Sequence, residues 1–198
     1  AWRLLLAPLQ QWNRARASRR NVSRHYDLDY DMFRQFLDED MQYSCAYFAE
    51  PDMTLEQAQR AKCEHIRRKL LLTPGQRVLD IGCGWGGLAM HLAEQADVHV
   101  TGLTLSTEQY RIAQERVRQR GLTGKVDIRL EDYREHQGEY DRIVSVGMFE
   151  HVGVPFYQRY FDLIRARMPT HGVALIHTIG RRTPPGLKIG RASCRERV

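Results

Sequence analysis

Arg77-Val-Leu-Asp-Ile-Gly-Cys-Gly-Trp-Gly-Gly-Leu88 is the stretch that decides the fold. Val78, Leu79 and Ile81 read as a buried strand, and the glycines after them read as a turn that opens a helix at Gly87-Leu88-Ala89-Met90. Gly82, Gly84 and Gly87 satisfy G-x-G-x-x-G, and Gly86 makes the turn richer still. Glycine lets such a turn go tight and lets backbone approach a ligand closely, while the helix start offers free N–H groups to an anionic part of that ligand. No Gly-Lys-Ser/Thr follows, which excludes a Walker phosphate loop. The pattern alone still fits a dinucleotide site, or a turn that merely packs a helix on a strand.

The next strand narrows the choice. A nicotinamide site puts Asp or Glu at the end of the second strand, about 20 residues on, to hold the ribose. Here that strand reads Val98-His-Val-Thr-Gly-Leu-Thr-Leu105, with no acid at its end, which counts against NAD. The Asp80-x-Gly-x-Gly-x-Gly form resembles instead the first motif of S-adenosylmethionine (SAM) methyltransferases.

The flanking sequence alternates helices and strands. A basic helical lead-in over residues 2–24 carries Arg14, Arg16, Arg19, Arg20 and Arg24 and reads as a solvated face before a lipid-head-group patch. His25-Tyr-Asp-Leu-Asp-Tyr-Asp31 leads to a short amphipathic helix with Phe33, Phe36, Leu37 and Met41, which runs out into Gln42-Tyr-Ser-Cys-Ala-Tyr-Phe48. A helix is expected over 55–72, with Leu55, Ala58, Ala61, Ile66 and Leu70 as a loose apolar stripe, broken by Thr73-Pro-Gly75. Ser106 with Gln109 forms a capping-box signature for a helix bearing Tyr110, Ala113 and Val117 and stopped by Gly121. Strands are expected at Val126–Leu130, Arg142–Gly147 and Val173–Ile179, with a helix from near Pro155 carrying Phe156, Tyr160, Phe161 and Ile164. Such alternation implies an α/β fold with a doubly wound, mostly parallel sheet, whose ligands bind beyond the carboxyl ends of the strands. Asp80, Thr104, Asp132 and Glu150 fall at those ends, with His177 near the fifth.

Composition sets the bounds. At 198 residues, 42% of them hydrophobic, one main domain with a packed core is expected. No run of 18 or more apolar residues occurs, and Leu4-Leu-Leu-Ala-Pro8 is too short for a signal sequence. Cys45, Cys63, Cys83 and Cys194 form no CxxC pair, so neither a disulfide framework nor a metal site is expected, and a reduced, cytoplasmic compartment is the simple reading. Residues 188–198 look like translated sequencing adapter, a non-native tail, which would end the natural sequence near Leu187 and leave Cys194 without function. That tail holds half of the formal net charge of +6. The mildly basic remainder suits an anionic membrane surface better than tight nucleic-acid binding.

A narrower resemblance rests on five segments: Gln42-Tyr-Ser-Cys-Ala-Tyr47, Val78-Leu-Asp-Ile-Gly-Cys-Gly-Trp-Gly-Gly87, Gly102-Leu-Thr-Leu-Ser106 with Gln109, Val146-Gly-Met-Phe-Glu-His-Val-Gly153, and His177-Thr-Ile-Gly180. In this order they resemble the cyclopropane-fatty-acid synthase family, which includes the mycolic acid cyclopropane synthases. The resemblance implies a class I SAM-methyltransferase, Rossmann-like domain over 55–187 without the family's last strands and their active-site tyrosine. Residues 1–54 would supply a helical lead-in and an active-site segment.

The resemblance also implies the chemistry. The family transfers a methylene group from SAM to a cis double bond of an unsaturated phospholipid acyl chain, working peripherally on the inner face of the membrane. The matching positions make Cys45, Glu150 and His177, with the backbone of Ile179, the holders of a bound bicarbonate base. SAM would be held by Tyr43, Ser44, the turn of Asp80, Ile81, Gly82, Cys83, Gly84, Trp85, Gly86 and Gly87, by Thr104, Leu105 and Gln109, and by Asp132 with Tyr133. Tyr47, Phe48 and Phe149 are candidates for an aromatic wall facing the cation that forms on the lipid. A homodimer is left open. Without the resemblance, Glu150 beside His151 reads equally as a loop pair and His177 as a satisfied strand histidine. Methyl transfer to another lipid or small molecule, or an inactive fragment, are the competing readings.

Overall fold

A computed structural model describes residues 30–180. The basic lead-in, His25–Asp29 and the tail after Leu187 lie outside the described residues. Five strands make one parallel sheet: β1 (Arg77–Ile81), β2 (His99–Thr104), β3 (Val126–Leu130), β4 (Arg142–Val146) and β5 (Val173–His177), in the order β3-β2-β1-β4-β5. The helices are α1 (Tyr30–Phe33), α2 (Leu55–Lys69), α3 (Gly87–Ala96), α4 (Thr107–Gln119) and α5 (Tyr157–Ala166).

Side chains alternate across each strand, so successive strand residues feed two different cores. Val78, Val100 and Val144 pack with α2, α3 and α4, while Leu79, Ile81, Leu103 and Ile143 pack with Tyr160 and Ile164 of α5. Helices therefore cover both faces, as a buried parallel sheet requires. The strand order reverses between β1 and β4, and the crevice outside their carboxyl ends is where such sheets take ligands.

Caps fix the helix ends. Thr54 closes a full capping box with Gln57 on α2. Ser106 accepts from the Gln109 N–H, but the Gln109 side chain takes the Thr104 hydroxyl instead, so the expected box at α4 is only half formed. Gly121, at φ +69°, closes α4 with the Leu122 N–H on the Val117 carbonyl.

Two expectations shift. The helix expected through Phe36, Leu37 and Met41 is a single short α1, because the Asp38 carboxylate accepts the N–H groups of Asp40 and Gln42 and competes with helical bonding. The fifth strand stops at His177 rather than Ile179, and the Ile179 N–H turns to a side chain instead of the sheet.

Candidate active site

The glycine turn follows β1 and closes onto β2, with the N–H groups of Gly82 and Cys83 both on the Leu103 carbonyl. Its glycines have separate tasks. Gly82, Gly84 and Gly86 have φ of +84°, +55° and +80°, a region costly for other residues. A Cβ on Gly82 would press on the Met148 side chain at 3.0 Å, so the turn after β1 touches the loop after β4. A Cβ on Gly84 would meet only the Gln109 amide at 4.0 Å, so this edge of the turn is open. Gly87 has ordinary φ, but a Cβ there would collide with the Asp40 carbonyl oxygen and the Gln42 side chain. Gly87 is small because the segment after α1 lies against it.

Asp80 is buried at 2% exposure, and burial pushes its carboxyl up to about 7. Its Oδ2 has no hydrogen-bond partner among the described residues. A buried, unsatisfied carboxylate oxygen beside a glycine turn fits a cationic group of a ligand. Ile81 and Cys83 are buried beneath the turn, and burial drives the Cys83 thiol far above its ordinary range, which keeps it inert. Trp85 is buried among Phe33, Met41 and Ile112 and meets the Phe33 ring at 4.9 Å and the exposed Tyr43 ring at 6.5 Å.

The segment Gln42–Cys45 is strapped to α2. Gln59 Nε2 donates to the carbonyls of Gln42 at 3.1 Å and Ser44 at 3.0 Å, and Lys62 Nζ donates to Ser44 Oγ at 2.7 Å. Arg116 reaches across from α4 to the carbonyls of Trp85 and Asp40, at 2.9 and 3.1 Å. These contacts bring Tyr43 and Ser44 to the glycine turn. Gln59 and Lys62 were missed by the sequence reading. The available signal was Lys62 standing in line with Ala58, Ile66 and Leu70 on the buried stripe of a helix.

At the end of β2, Thr104 and Gln109 bond to one another at 2.9 Å, with Leu105 half-buried between them. At the end of β3, Asp132 is fully buried and closed by Arg134, whose guanidinium takes both carboxylate oxygens, at 2.9 and 2.6 Å. The carboxylate expected to meet an adenine edge is thus engaged within the protein. Tyr133 is half-buried edge-on to Tyr160, ring centroids 5.5 Å apart, with the Arg134 guanidinium over its ring at 5.6 Å.

Beyond β4 and β5 a second cluster forms. Glu150, on the 3-10 turn Phe149–His151, accepts the Ile179 N–H on Oε1 at 2.6 Å. Gly147 N–H bonds the His177 carbonyl at 3.0 Å, which locks the two strand ends together. Glu150 Oε2 and His177 Nδ1 are both buried without a partner among the described residues. An acid oxygen and an imidazole nitrogen are the acceptor and donor types that would hold a small ion such as hydrogen carbonate. Cys45 is an exposed free thiol on the strap, within electrostatic reach of Lys62, and no hydrogen bond joins it to Glu150 or His177 among the described residues. The aromatic wall does not form as expected: Tyr47 stacks on His65, whereas Phe149 packs with Tyr157, Tyr160 and Phe161. Phe48 is exposed. A cleft of about 460 Å³ lies elsewhere, lined by Asp40, Glu64, His91 and Arg120 among others, and holds none of the expected site residues.

Strand order, glycine turn and buried acid together define the Rossmann-like fold of a class I SAM-dependent methyltransferase. A family model described as mycolic acid cyclopropane synthetase matches residues 13–193. The cyclopropane-fatty-acyl-phospholipid synthase of Escherichia coli K12 is 54% identical over 156 residues, covering 79% of this chain and 40% of that protein. Cyclopropane mycolic acid synthase 1 of Mycobacterium tuberculosis is 45% identical, covering 80% and 55%. In structure, the cyclopropane synthase MmaA2 from Mycobacterium tuberculosis superposes with TM-score 0.81 at 40% identity, covering 85% of this chain and 62% of that one. The chain belongs to the mycolic acid cyclopropane synthetase family. It spans roughly half the length of these curated relatives, 40% to 55%.

Proposed function

We propose that this chain carries the donor site and part of the catalytic site of an enzyme that transfers a methylene group from SAM to a cis double bond of an unsaturated phospholipid acyl chain. One observation carries the reading: Glu150 Oε2, on the turn after β4, and His177 Nδ1, at the end of β5, are both buried without a partner among the described residues, and Met148 of that loop lies against the donor turn at Gly82. The donor of such a reaction has an adenine ring, a sulfonium and a zwitterionic amino-acid end. Tyr133 offers a face to the ring, and the Asp80 carboxylate suits the ammonium. One structural relative, the mycolic acid cyclopropane synthase CmaA1, is described in complex with S-adenosylhomocysteine (SAH), at TM-score 0.74 and 43% identity.

In this reaction the alkene electron pair attacks the sulfonium methyl, and the S–C bond breaks to leave SAH and a carbocation on the lipid. Loss of a proton from the added methyl leaves its C–H electrons to close the ring. Hydrogen carbonate, when bound, supplies the base that takes that proton. Glu150 would hold it and accept its proton, and His177 would donate from Nδ1, while the Ile179 N–H fixes the Glu150 carboxylate in place. Cys45 completes the holders in the family reading, from the strap. An alkene is a weak nucleophile, so alignment and exclusion of water supply much of the acceleration.

The lipid would be met peripherally at the inner face of the membrane. Exposed Phe48, Val154 and Ile179 support an apolar approach. Among the described residues no helix is long and apolar enough to cross a membrane.

Vesicles of an unsaturated phospholipid, incubated with the protein and SAM, test the reading by mass spectrometry of the released acyl chains. A product heavier by CH2 with its double bond gone supports cyclopropanation. Gain of CH2 with a double bond kept gives a second reading, methyl transfer to the acyl chain. The probable fatty acid methyltransferase of Pseudomonas putida, 47% identical and covering 81% of this chain and 43% of that protein, favours it.

A further inference from the structure

Lys62 is an anomaly in the core of the site. Its ammonium lies on the buried stripe of α2, and the residue is 6% exposed. An ammonium has three N–H donors. Among the described residues one of them is used, on Ser44 Oγ at 2.7 Å, and no carboxylate forms an ion pair with it. Asp38 and Cys45 act on it only at a distance, while burial pulls its pKa down. A buried charge without a counter-ion is costly, and a structural staple to a serine hydroxyl needs no charge. The Cys63 thiol next to it lies within electrostatic reach of both Lys62 and Asp80. Through Ser44, Lys62 is bound to the strap whose Asp40 and Gln42 lie against the turn at Gly87, and Asp80 stands at the head of that turn; among the described residues both keep unused hydrogen-bonding capacity.

We propose that Lys62, with Ser44, forms a carboxylate subsite for the amino-acid end of the methyl donor, opposite Asp80. The amino-acid end is a zwitterion, and the site offers it one residue of each opposite sign. Ser44 is the hinge of the arrangement: its hydroxyl accepts from Lys62 and can donate to the ligand's carboxylate, while Gln59 holds its backbone in place. Lys62 is thus a binding residue that also fixes the strap carrying Tyr43 and Cys45. This inference rests on the donor-site reading above.

Two ligands separate charge recognition from a structural role. SAH carries the carboxylate; 5′-methylthioadenosine keeps the adenosine thioether and lacks the amino acid. Calorimetric titration of the wild-type protein, Lys62→Met, Lys62→Arg and Ser44→Ala with both is the experiment. Loss of a charge-assisted hydrogen bond predicts SAH affinity about 10- to 100-fold weaker in Lys62→Met, with methylthioadenosine within about 2-fold of wild type. Lys62→Arg should recover most of the SAH affinity. Ser44→Ala, which leaves the buried charge in place, should weaken SAH several-fold and spare methylthioadenosine, and it carries the test if Lys62→Met does not fold. Equal weakening of both ligands, or of neither, overturns the subsite. A folded wild-type protein that binds neither ligand removes the donor-site reading, and the subsite with it.

Discussion

Glu150 Oε1 accepts the backbone N–H of Ile179 at 2.6 Å, across 29 positions of sequence, and this single bond ties the turn after β4 to the chain leaving β5. It leaves Oε2 of the same carboxylate buried and without a partner among the described residues.

Glu150→Gln keeps the shape and an acceptor for the Ile179 N–H but removes the basic carboxylate. Turnover should fall by about 10² or more, the usual contribution of a general base. SAH affinity should stay within a few-fold of wild type. Product quantified by mass spectrometry and a parallel SAH titration check both. Loss of SAH affinity instead would move Glu150 into the donor site.

Gly84 and Gly87 should separate. Gly84→Val puts a β-branched side chain at φ +55°, pointing into the open edge beside Gln109. It should abolish SAH binding in a titration. Gly87→Ala drives a methyl into the Asp40 carbonyl and the Gln42 side chain. Overpacking of that kind costs about 1–3 kcal/mol, read as a lower Tm in thermal unfolding. Gly87→Ala that melts like wild type would contradict the packing role.

Asp80 gives a pH dependence with a definite sign. Its folded pKa, about 7, lies above its ordinary value of 3.8 because burial disfavours the charge. The proton is bound more tightly in the folded state, so the associated stability is complete below pH 3.8 and is lost as pH rises through about 7. Asp80→Asn should flatten that decline in denaturant-unfolding curves measured across this range. A cationic ligand group favours the ionised acid, so SAH should bind more tightly as pH rises through 7 in wild type. The same trend in Asp80→Asn would assign it to another group.

Arg134→Ala should be among the most destabilising single changes in the domain. It strips the guanidinium from Asp132, a carboxylate with no exposure. Breaking a buried pair by removing one partner costs about 3–5 kcal/mol. Chemical denaturation reads it directly, and a cost under about 1 kcal/mol would show that Asp132 is not held by this pair.

Much of this fold was legible because it is written in local, periodic signals. The apolar alternation of Val78, Leu79 and Ile81 and the glycines after them place β1 and its turn, and β3 matches its expected bounds, Val126–Leu130. What the sequence hid depends on partners distant in the chain. The helix expected at Phe36–Met41 loses to the Asp38 side chain bonding its own backbone. Ile179 reads as strand until Glu150, far behind it in sequence, takes its N–H. Asp132 looks available to a ligand until Arg134, two residues on, is seen folded back over it. Lys62 was visible as a charge on an apolar stripe, but its partner Ser44 lies 18 positions away, and only the fold joins them.

Equilibrium dialysis of the folded protein against labelled SAM tests the central claim most directly, that the rim above β1 and β4 is a methyl-donor site. Saturable binding at one site, competed by SAH and lost in Gly84→Val, is the predicted result. A soluble sample with native circular dichroism that binds no SAM would contradict it.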